Sequence, residues 1–251
     1  MKAIIIAAGV GKRMLPLTSA LPKCMLDFAG KTLLTRHIET LKSCGIEDIS
    51  LIKGYLGEKI IYPGLKYFYN DRFEHNNILN SLLYAESQIT GDVIISYSDI
   101  YYEKHVLERL IESRHDISIV VDSAWHLAYS ARKTHPVSEA EKVAISTAGF
   151  VVDIGKNITL NGEQDGEFIG MMKLSEKGSK VFREAAATAK KDYWGKSFHE
   201  ARVFEEAYLT DMVQELVDNR IPVFCVSIQG GWKEIDTLED YENAKKALAA
   251  A

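Results

Sequence analysis

The sequence predicts an α/β fold, with a mixed, mostly parallel central sheet flanked by helices and one small antiparallel excursion. Three observations carry that expectation. Residues 3–7 form an unbroken apolar run, as a central strand covered on both faces requires. Short β-rich runs then alternate with amphipathic stretches, the pattern of βα units around a parallel sheet. Between about residues 123 and 174 the alternation stops, and strand-like runs follow one another without a long helix.

The elements read as follows. After the first strand comes a glycine-containing loop, and Leu33, Ile38 and Leu41 mark a helix closing near Gly45. Residues 49–52 form a second strand, 67–69 a short third, and 77–86 a helix behind it. Residues 92–96 are another buried strand, followed by a helix over roughly 103–113 and a strand at 117–121. The excursion holds strand-like runs at 143–146, 150–154 and 168–173. Helices at roughly 175–189 and 206–219, a strand at 223–227 and a last helix near 238–248 complete the chain. No repeat, low-complexity stretch or Pro/Gly-rich linker interrupts this order. A single domain over 1–251 is expected, with residues 1–122 as one half and 123–251 as the other.

Of 251 residues, 47% are hydrophobic and 26% charged, an ordinary globular composition that can build a core without metal or disulfide staples. Lys and Arg number 30 against 35 Asp and Glu, for a net charge of −5. That balance argues against a broad nucleic-acid surface and leaves room for a local basic pocket. Cys24, Cys44 and Cys225 form no CxxC pair and read as reduced thiols of a cytoplasmic protein. The N-terminal apolar run is too short for a signal peptide or a membrane span, so no membrane association is expected. The sequence leaves open whether the chain forms a homo-oligomer.

The most informative stretch is Lys2-Ala-Ile-Ile-Ile-Ala-Ala-Gly-Val-Gly-Lys-Arg-Met14, continuing to Leu21-Pro-Lys-Cys-Met25. Gly9 and Gly11, just after a buried strand, let backbone N–H groups approach phosphate oxygens. Lys12, Arg13 and Lys23 supply the cationic donors a triphosphate needs. The pattern GxxxxGK[ST] is absent, and GxGxxG fails because Met14 stands at the third glycine position. Glycine spacing alone fits a strand-to-helix turn with solvated basic residues equally well.

Ala7-Ala8-Gly9-x-Gly11-x-Arg13 followed by Pro22-Lys23 resembles the signature of the sugar-phosphate and phosphocholine nucleotidyltransferase family, whose fold is Rossmann-like. The resemblance implies that the glycine loop wraps a triphosphate and that Arg13 and Lys23 act on its phosphates. It places Ala7, Ala8 and Gly9 against the base and ribose. It spans nearly the whole chain, because two acids fall into place. Asp99 lies just past the carboxyl end of a buried strand, where open α/β sheets bind ligands, and Asp236 lies in Gly230-Gly-Trp-Lys-Glu-Ile-Asp236. Two carboxylates from distant segments suit one Mg²⁺ that also holds phosphate oxygens. The alternative for Asp236 is a helix N-cap, but Thr237 with Asp240 three residues on already resembles a capping box.

The arrangement Asn76-Asn77-x-x-x-Ser81-Leu resembles the cytidylyltransferase branch, in which Asn offers donors and an acceptor to cytosine. Asn76, Asn77 and Ser81 are therefore base-reading candidates, and helix capping by Asn77 is the competing role. Val120-Val-Asp-Ser-Ala-Trp125, Gly166-Glu-Phe-Ile-Gly-Met171, Leu209-Thr-Asp-Met212 and the Gly-Gly-Trp segment resemble cytidylyltransferases of phosphonate metabolism. That implies CTP and a small acceptor such as aminoethyl- or hydroxyethylphosphonate, or phosphocholine. Arg132 and Lys142 would bind the acceptor's anion and Glu167 its amine or hydroxyl, unless each is a solvated charge. Trp125, Tyr193, Trp194 and Trp232 are available for a cation–π cage or for the core. The seven histidines show no metal-ligand spacing. The implied reaction is in-line attack on the α-phosphorus of CTP with release of pyrophosphate. The alternatives are a sugar-1-phosphate nucleotidyltransferase using UTP, dTTP or GTP, and a non-catalytic nucleotide sensor.

Overall fold

In the computed structural model, which describes residues 1–130, 132–160 and 164–249, thirteen strands and seven α-helices follow one another. The strands of the first half are β1 (Lys2–Ala7), β2 (Asp27–Phe28), β3 (Lys31–Thr32), β4 (Asp48–Lys53), β5 (Lys66–Tyr69), β6 (Val93–Tyr97), β7 (Ile100–Tyr102) and β8 (Ile117–Asp122). The second half holds β9 (Lys142–Ile145), β10 (Val151–Gly155), β11 (Gln164–Leu174), β12 (Phe224–Ile228) and β13 (Trp232–Glu234). The helices are α1 (Leu33–Ser43), α2 (Ile78–Leu83), α3 (Lys104–Glu112), α4 (Trp125–Ser130), α5 (Glu176–Tyr193), α6 (Leu209–Asp218) and α7 (Leu238–Ala249).

The main sheet is the mixed, mostly parallel one expected. Its order is β10-β9-β11-β6-β1-β4-β5, and β8 joins β11 to β12. The pairs β1–β4, β1–β6, β4–β5 and β8–β12 are parallel. The antiparallel pairs within this sheet involve β9, β10 or β11, which is the excursion seen in the sequence. Strand periodicity sorts β1 between two cores. Ile4 and Ile6 pack with Leu79 and Leu82 of α2, Phe182 of α5 and Met212 of α6. Ala3, Ile5 and Ala7 pack on the opposite face with Ile38 and Leu41 of α1 and Val106 and Leu110 of α3.

Two features were not legible beforehand. The expected helix over 77–86 ends at Leu83, and a 3₁₀ turn follows at Glu86–Gln88. The ribbon β7–β13 pairs Trp232 with Tyr102 and Glu234 with Ile100, and the ladder continues from Ile235 N–H to Asp99 O at 2.8 Å. Short strands of three residues carry too little periodicity to be read alone. A third core cluster joins Met14, Leu26, Phe28 and Leu33 to Ile235, Tyr241 and Ala244. It fastens α7 over the segment after the glycine loop, and the Tyr241 hydroxyl donates to the Asp27 carbonyl.

Strand β11 is bent by a bulge. Its register against β8 shifts between Phe168 and Met172, so Gln164–Glu167 pair with β9 and Met171–Leu174 with β6. Gly170 sits in the bulge at φ +81°, and a Cβ there would lie 2.3 Å from the Tyr97 ring. Both the backbone angle and the ring exclude a side chain. Gly170→Ala should therefore destabilise the protein by about 1–3 kcal/mol, read by denaturant unfolding. An unchanged midpoint would show that the bulge relaxes freely.

Candidate active site

The ends of β1 and β6 open into a cavity of about 330 Å³ walled by the glycine loop, α2 and Asp236. This is the carboxyl edge of the parallel strands, where such sheets bind ligands. Gly11 takes the left-handed conformation (φ +64°), and a Cβ would press on Thr18 and Lys23. The Thr18 hydroxyl donates to the Gly11 carbonyl at 2.9 Å, closing the loop. Ala7, Ala8, Gly9, Gly11, Arg13, Lys23, Asn76, Asn77, Ser81, Asp99 and Asp236 all line this one cavity.

Lys23 is its electrostatic centre. Its ammonium lies 2.8 Å from Asp99 Oδ2 and 2.8 Å from Asp236 Oδ1. Burial opposes the charge on Lys23, but the two carboxylates outweigh it and raise its pKa. Burial likewise disfavours ionised Asp236, yet Lys23 and then Arg13 hold its pKa below the usual value. Arg13 pairs with Asp236 and lies 3.7 Å from Glu139. The ribbon β7–β13 is what sets Asp99 and Asp236 side by side, and Asp122 anchors that ribbon. Its carboxylate accepts from Gly230 N–H at 3.1 Å and from Trp232 Nε1 at 2.7 Å. The capping box at α7 is formed as expected, with Asp240 N–H donating to Thr237 Oγ1 and Thr237 N–H to Asp240 Oδ2. Asp236 is thereby left to the cavity.

Two carboxylate oxygens within hydrogen-bond distance of a single nitrogen are also within reach of one hard cation, and both are oxygen donors beside the loop that would take a triphosphate. The residues therefore fit a divalent metal. Asp236 also groups with Glu234 and His135, whose ligand atoms lie within 4.8 Å of one another.

A second, inner cavity of about 110 Å³ adjoins the first. Arg13, Ile78, Tyr97, Asp99, Glu139, Lys156, Tyr208 and Asp236 border both. Beyond them the inner walls turn acidic, with Glu141, Glu167 and Glu234 beside His135. Burial pushes the Glu141 and Glu167 carboxyls up to about 8, and burial with nearby Asp236 raises Glu234. Glu167 is 3% exposed. Tyr129 donates its hydroxyl to Oε1, while Oε2 has no hydrogen-bond partner among the described residues.

Two expected anion-binding residues lie elsewhere. Arg132 and Lys142 line neither cavity. The Arg132 guanidinium is buried, with Nε 3.0 Å from Asp240 Oδ1, and it covers the Tyr129 ring at 5.0 Å. It is not a solvated charge, and its charge is engaged in clamping the start of α7. The Lys142 ammonium donates to the Ile158 carbonyl at 3.5 Å. The cation of the excursion that does border both cavities, as Arg13 does from the glycine loop, is Lys156, 3.0 Å from Glu139 Oε2 and 4.6 Å above the Tyr208 ring. Its position directly after Gly155, at the end of β10, was the available signal. Its backbone is fixed by Glu200, which accepts from Lys156 N–H and Asn157 N–H at 2.8 Å each. His135, which no sequence spacing singled out, lies 3.2 Å from Asp240 and 3.6 Å from Glu234. Of the four candidate cage aromatics only Trp232 reaches the inner cavity; Trp125 turns its indole N–H to Asp165 at 2.9 Å. No helix among the described residues is long and apolar enough to cross a membrane.

Comparison with known proteins gives the family. The family model described as the MobA-like NTP transferase domain matches residues 3–148. The CTP:phosphoglutamine cytidylyltransferase of Campylobacter jejuni is 31% identical, over 96% of this chain and 98% of that protein. The CMP-5'-(3-aminopropyl)phosphonate synthase of Streptomyces rubellomurinus is 31% identical over 43% of this chain and 19% of its own length. Among solved structures, the CTP:phosphocholine cytidylyltransferase of Streptococcus pneumoniae superposes with a TM-score of 0.73 at 23% identity, covering 98% of both chains, which speaks to the fold. The chain belongs to the MobA-like NTP transferase family and is a nucleotidyltransferase.

Proposed function

We propose that this protein transfers CMP from CTP to a small acceptor bearing a phosphonate or phosphate at one end and a protonated amine at the other. The observation that supports it best is the junction of two cavities of different character at Arg13, Asp99 and Asp236. The outer one has the glycine loop, Arg13 and Lys23 for a polyanion. The inner one ends on carboxyls, of which Glu167 is buried and has one oxygen without a partner among the described residues, in a volume that suits a short chain. A buried acid without a partner is costly unless a cation or a donor reaches it.

In the proposed reaction an anionic acceptor oxygen attacks the α-phosphorus of CTP. A new P–O bond forms, the bond from the α-phosphorus to the bridging oxygen breaks, and pyrophosphate leaves with that electron pair. The attacking oxygen is already ionised near neutral pH, so no residue has to remove a proton. Lys23, held charged by its two acids, faces the α-phosphate, and Arg13 faces the leaving group. Lys156 sits where the two cavities meet and is placed to hold the acceptor's anion. Asp99 and Asp236 would hold Mg²⁺, which when bound neutralises triphosphate oxygens. The chain's contribution is positioning and charge complementarity.

Asp99→Asn and Asp236→Asn should each lower turnover by roughly two orders of magnitude or more. Near-wild-type rates in a folded variant at ordinary Mg²⁺ concentrations would remove the metal role.

Glu167→Gln should raise the KM for an aminoalkylphosphonate by about 10-fold or more, the scale of one charge-assisted contact, and leave that for CTP unchanged. An equal rise in both would place Glu167 outside the acceptor site. The same variant has a signature in the free enzyme. The Glu167 pKa is raised on folding, so its contribution to stability is full below the unfolded value of about 4.3 and gone once pH has risen through about 8. Between those limits the melting temperature of the wild type should fall relative to Glu167→Gln. Parallel pH profiles would show that Glu167 ionises normally.

A further inference from the structure

Asn70 is fully buried and does not border the nucleotide cavity. Its side chain nevertheless touches two residues that do. One amide hydrogen goes to Asn76 Oδ1 at 2.8 Å and the other to Ser81 Oγ at 2.9 Å. Its oxygen accepts from Asn76 Nδ2 at 3.1 Å and from the backbone N–H of Arg72 at 3.0 Å. The last bond decides the orientation. A backbone N–H can only donate, so the atom of Asn70 facing Arg72 is the oxygen, and the other atom is the nitrogen.

The consequences pass along the network by counting donors and acceptors. Both hydrogens of the Asn70 amide are spent, so Asn76 must present its oxygen to Asn70 and keeps one N–H without an acceptor among the described residues. Ser81 accepts from Asn70, and no acceptor for its own hydroxyl hydrogen is recorded among the described residues. Asn77 is fixed independently, because its oxygen caps α2 by accepting from Ile78 N–H at 2.9 Å. The wall formed by Asn76, Asn77 and Ser81 therefore offers hydrogens to whatever lies against it.

Cytosine carries two adjacent acceptors, O2 and N3, whereas uracil carries a donor at N3. Uracil also offers O4 as an acceptor and cytosine N4–H2 as a donor, so the discrimination lies at the O2–N3 side: donors set there are satisfied by cytosine and meet the N3–H of uracil. We propose that Asn70 is the positioning residue for nucleotide choice, fixing Asn76 and Ser81 as donors and so selecting cytosine over uracil. This rests on the CTP reading above, and it assigns the choice to a residue that never touches the nucleotide.

Asn70→Asp is nearly isosteric and reverses the logic. An ionised carboxylate only accepts, so the Ser81 hydroxyl would turn to donate inward and show the base a lone pair that can accept from uracil N3–H. The measurement is kcat/KM for CTP and UTP, with calorimetric binding of both nucleotides as a readout independent of turnover. The wild type is expected to favour CTP by at least ~10-fold, and Asn70→Asp to lower that ratio by about 10-fold or more, with UTP use retained. Loss of both activities in proportion, with the ratio intact, would overturn the inference while leaving the CTP reading in place. A wild type that shows no preference for CTP would overturn both. If Asn70→Asp does not fold, Ser81→Ala decides, since it removes the same donor without burying a charge. An unchanged CTP:UTP ratio in that variant overturns the inference.

Discussion

The three-way contact of Lys23 with Asp99 and Asp236 is the constraint around which the molecule is organised. The three residues come from the two ends of the chain and its middle, 76 and 213 positions apart. Taking three charges largely out of water is unfavourable unless each is matched closely, so the elements that carry them have to be fixed. The third core cluster fixes Lys23 by packing α7 against Met14, Leu26 and Phe28. The β7–β13 ladder fixes the acids by running directly from one to the other. Asp122, buried behind them, ties the Gly230 turn to the end of β8.

That dependence explains why the segments marked in the sequence are so far apart yet act together. Val120-Val-Asp122 and Gly230-Gly-Trp232 are in direct contact through the Asp122 carboxylate. The segment after α4 reaches α7 as well, through Arg132 to Asp240 and through Thr134 to Glu239 at 2.8 Å. The antiparallel excursion therefore supplies the inner cavity and at the same time braces the helix whose first turn follows Asp236. Changes at Arg132 act on this brace, since its guanidinium faces Asp240 and Glu234 instead of open cavity.

Legibility followed the range of the interactions. The parallel strands, the two-sided burial of residues 3–7, the glycine loop and the Thr237–Asp240 box are local patterns, and the sequence carries them in adjacent or near-adjacent residues. The convergence of Lys23, Asp99 and Asp236 was legible only through a resemblance, because nothing in the spacing of positions 23, 99 and 236 encodes their proximity. What escaped depended on side-chain direction at long range. Arg132 and Lys156 are both basic residues of the same excursion, and composition does not tell them apart. In the fold, Lys156 follows a strand end held by Glu200 and points to the cavity border, whereas Arg132 precedes a turn that folds back onto α7. Asn70 escaped for a related reason: it lies in the segment that held the base-reading candidates, but its side chain is turned inward beneath them.

The distribution of charge around the triad also restricts how an acceptor can sit. In the outer cavity the glycine loop and Arg13 face the opening, and Lys23 stands at the back between its acids. In the inner cavity Glu141, Glu167 and Glu234 outnumber the cations beyond the shared border. A triphosphate pushed inward meets carboxyls, and an amine left outward meets Arg13 and Lys156. At the short separations inside a cavity, where water screens poorly, like charges repel strongly. An acceptor with an anion at one end and a cation at the other has one favourable orientation, and in it the anion lies at the border beside Lys156. That is also the end that must approach the α-phosphorus. For the proposed acceptor, the field that would bind it would also align its reacting oxygen, without a residue dedicated to activating it.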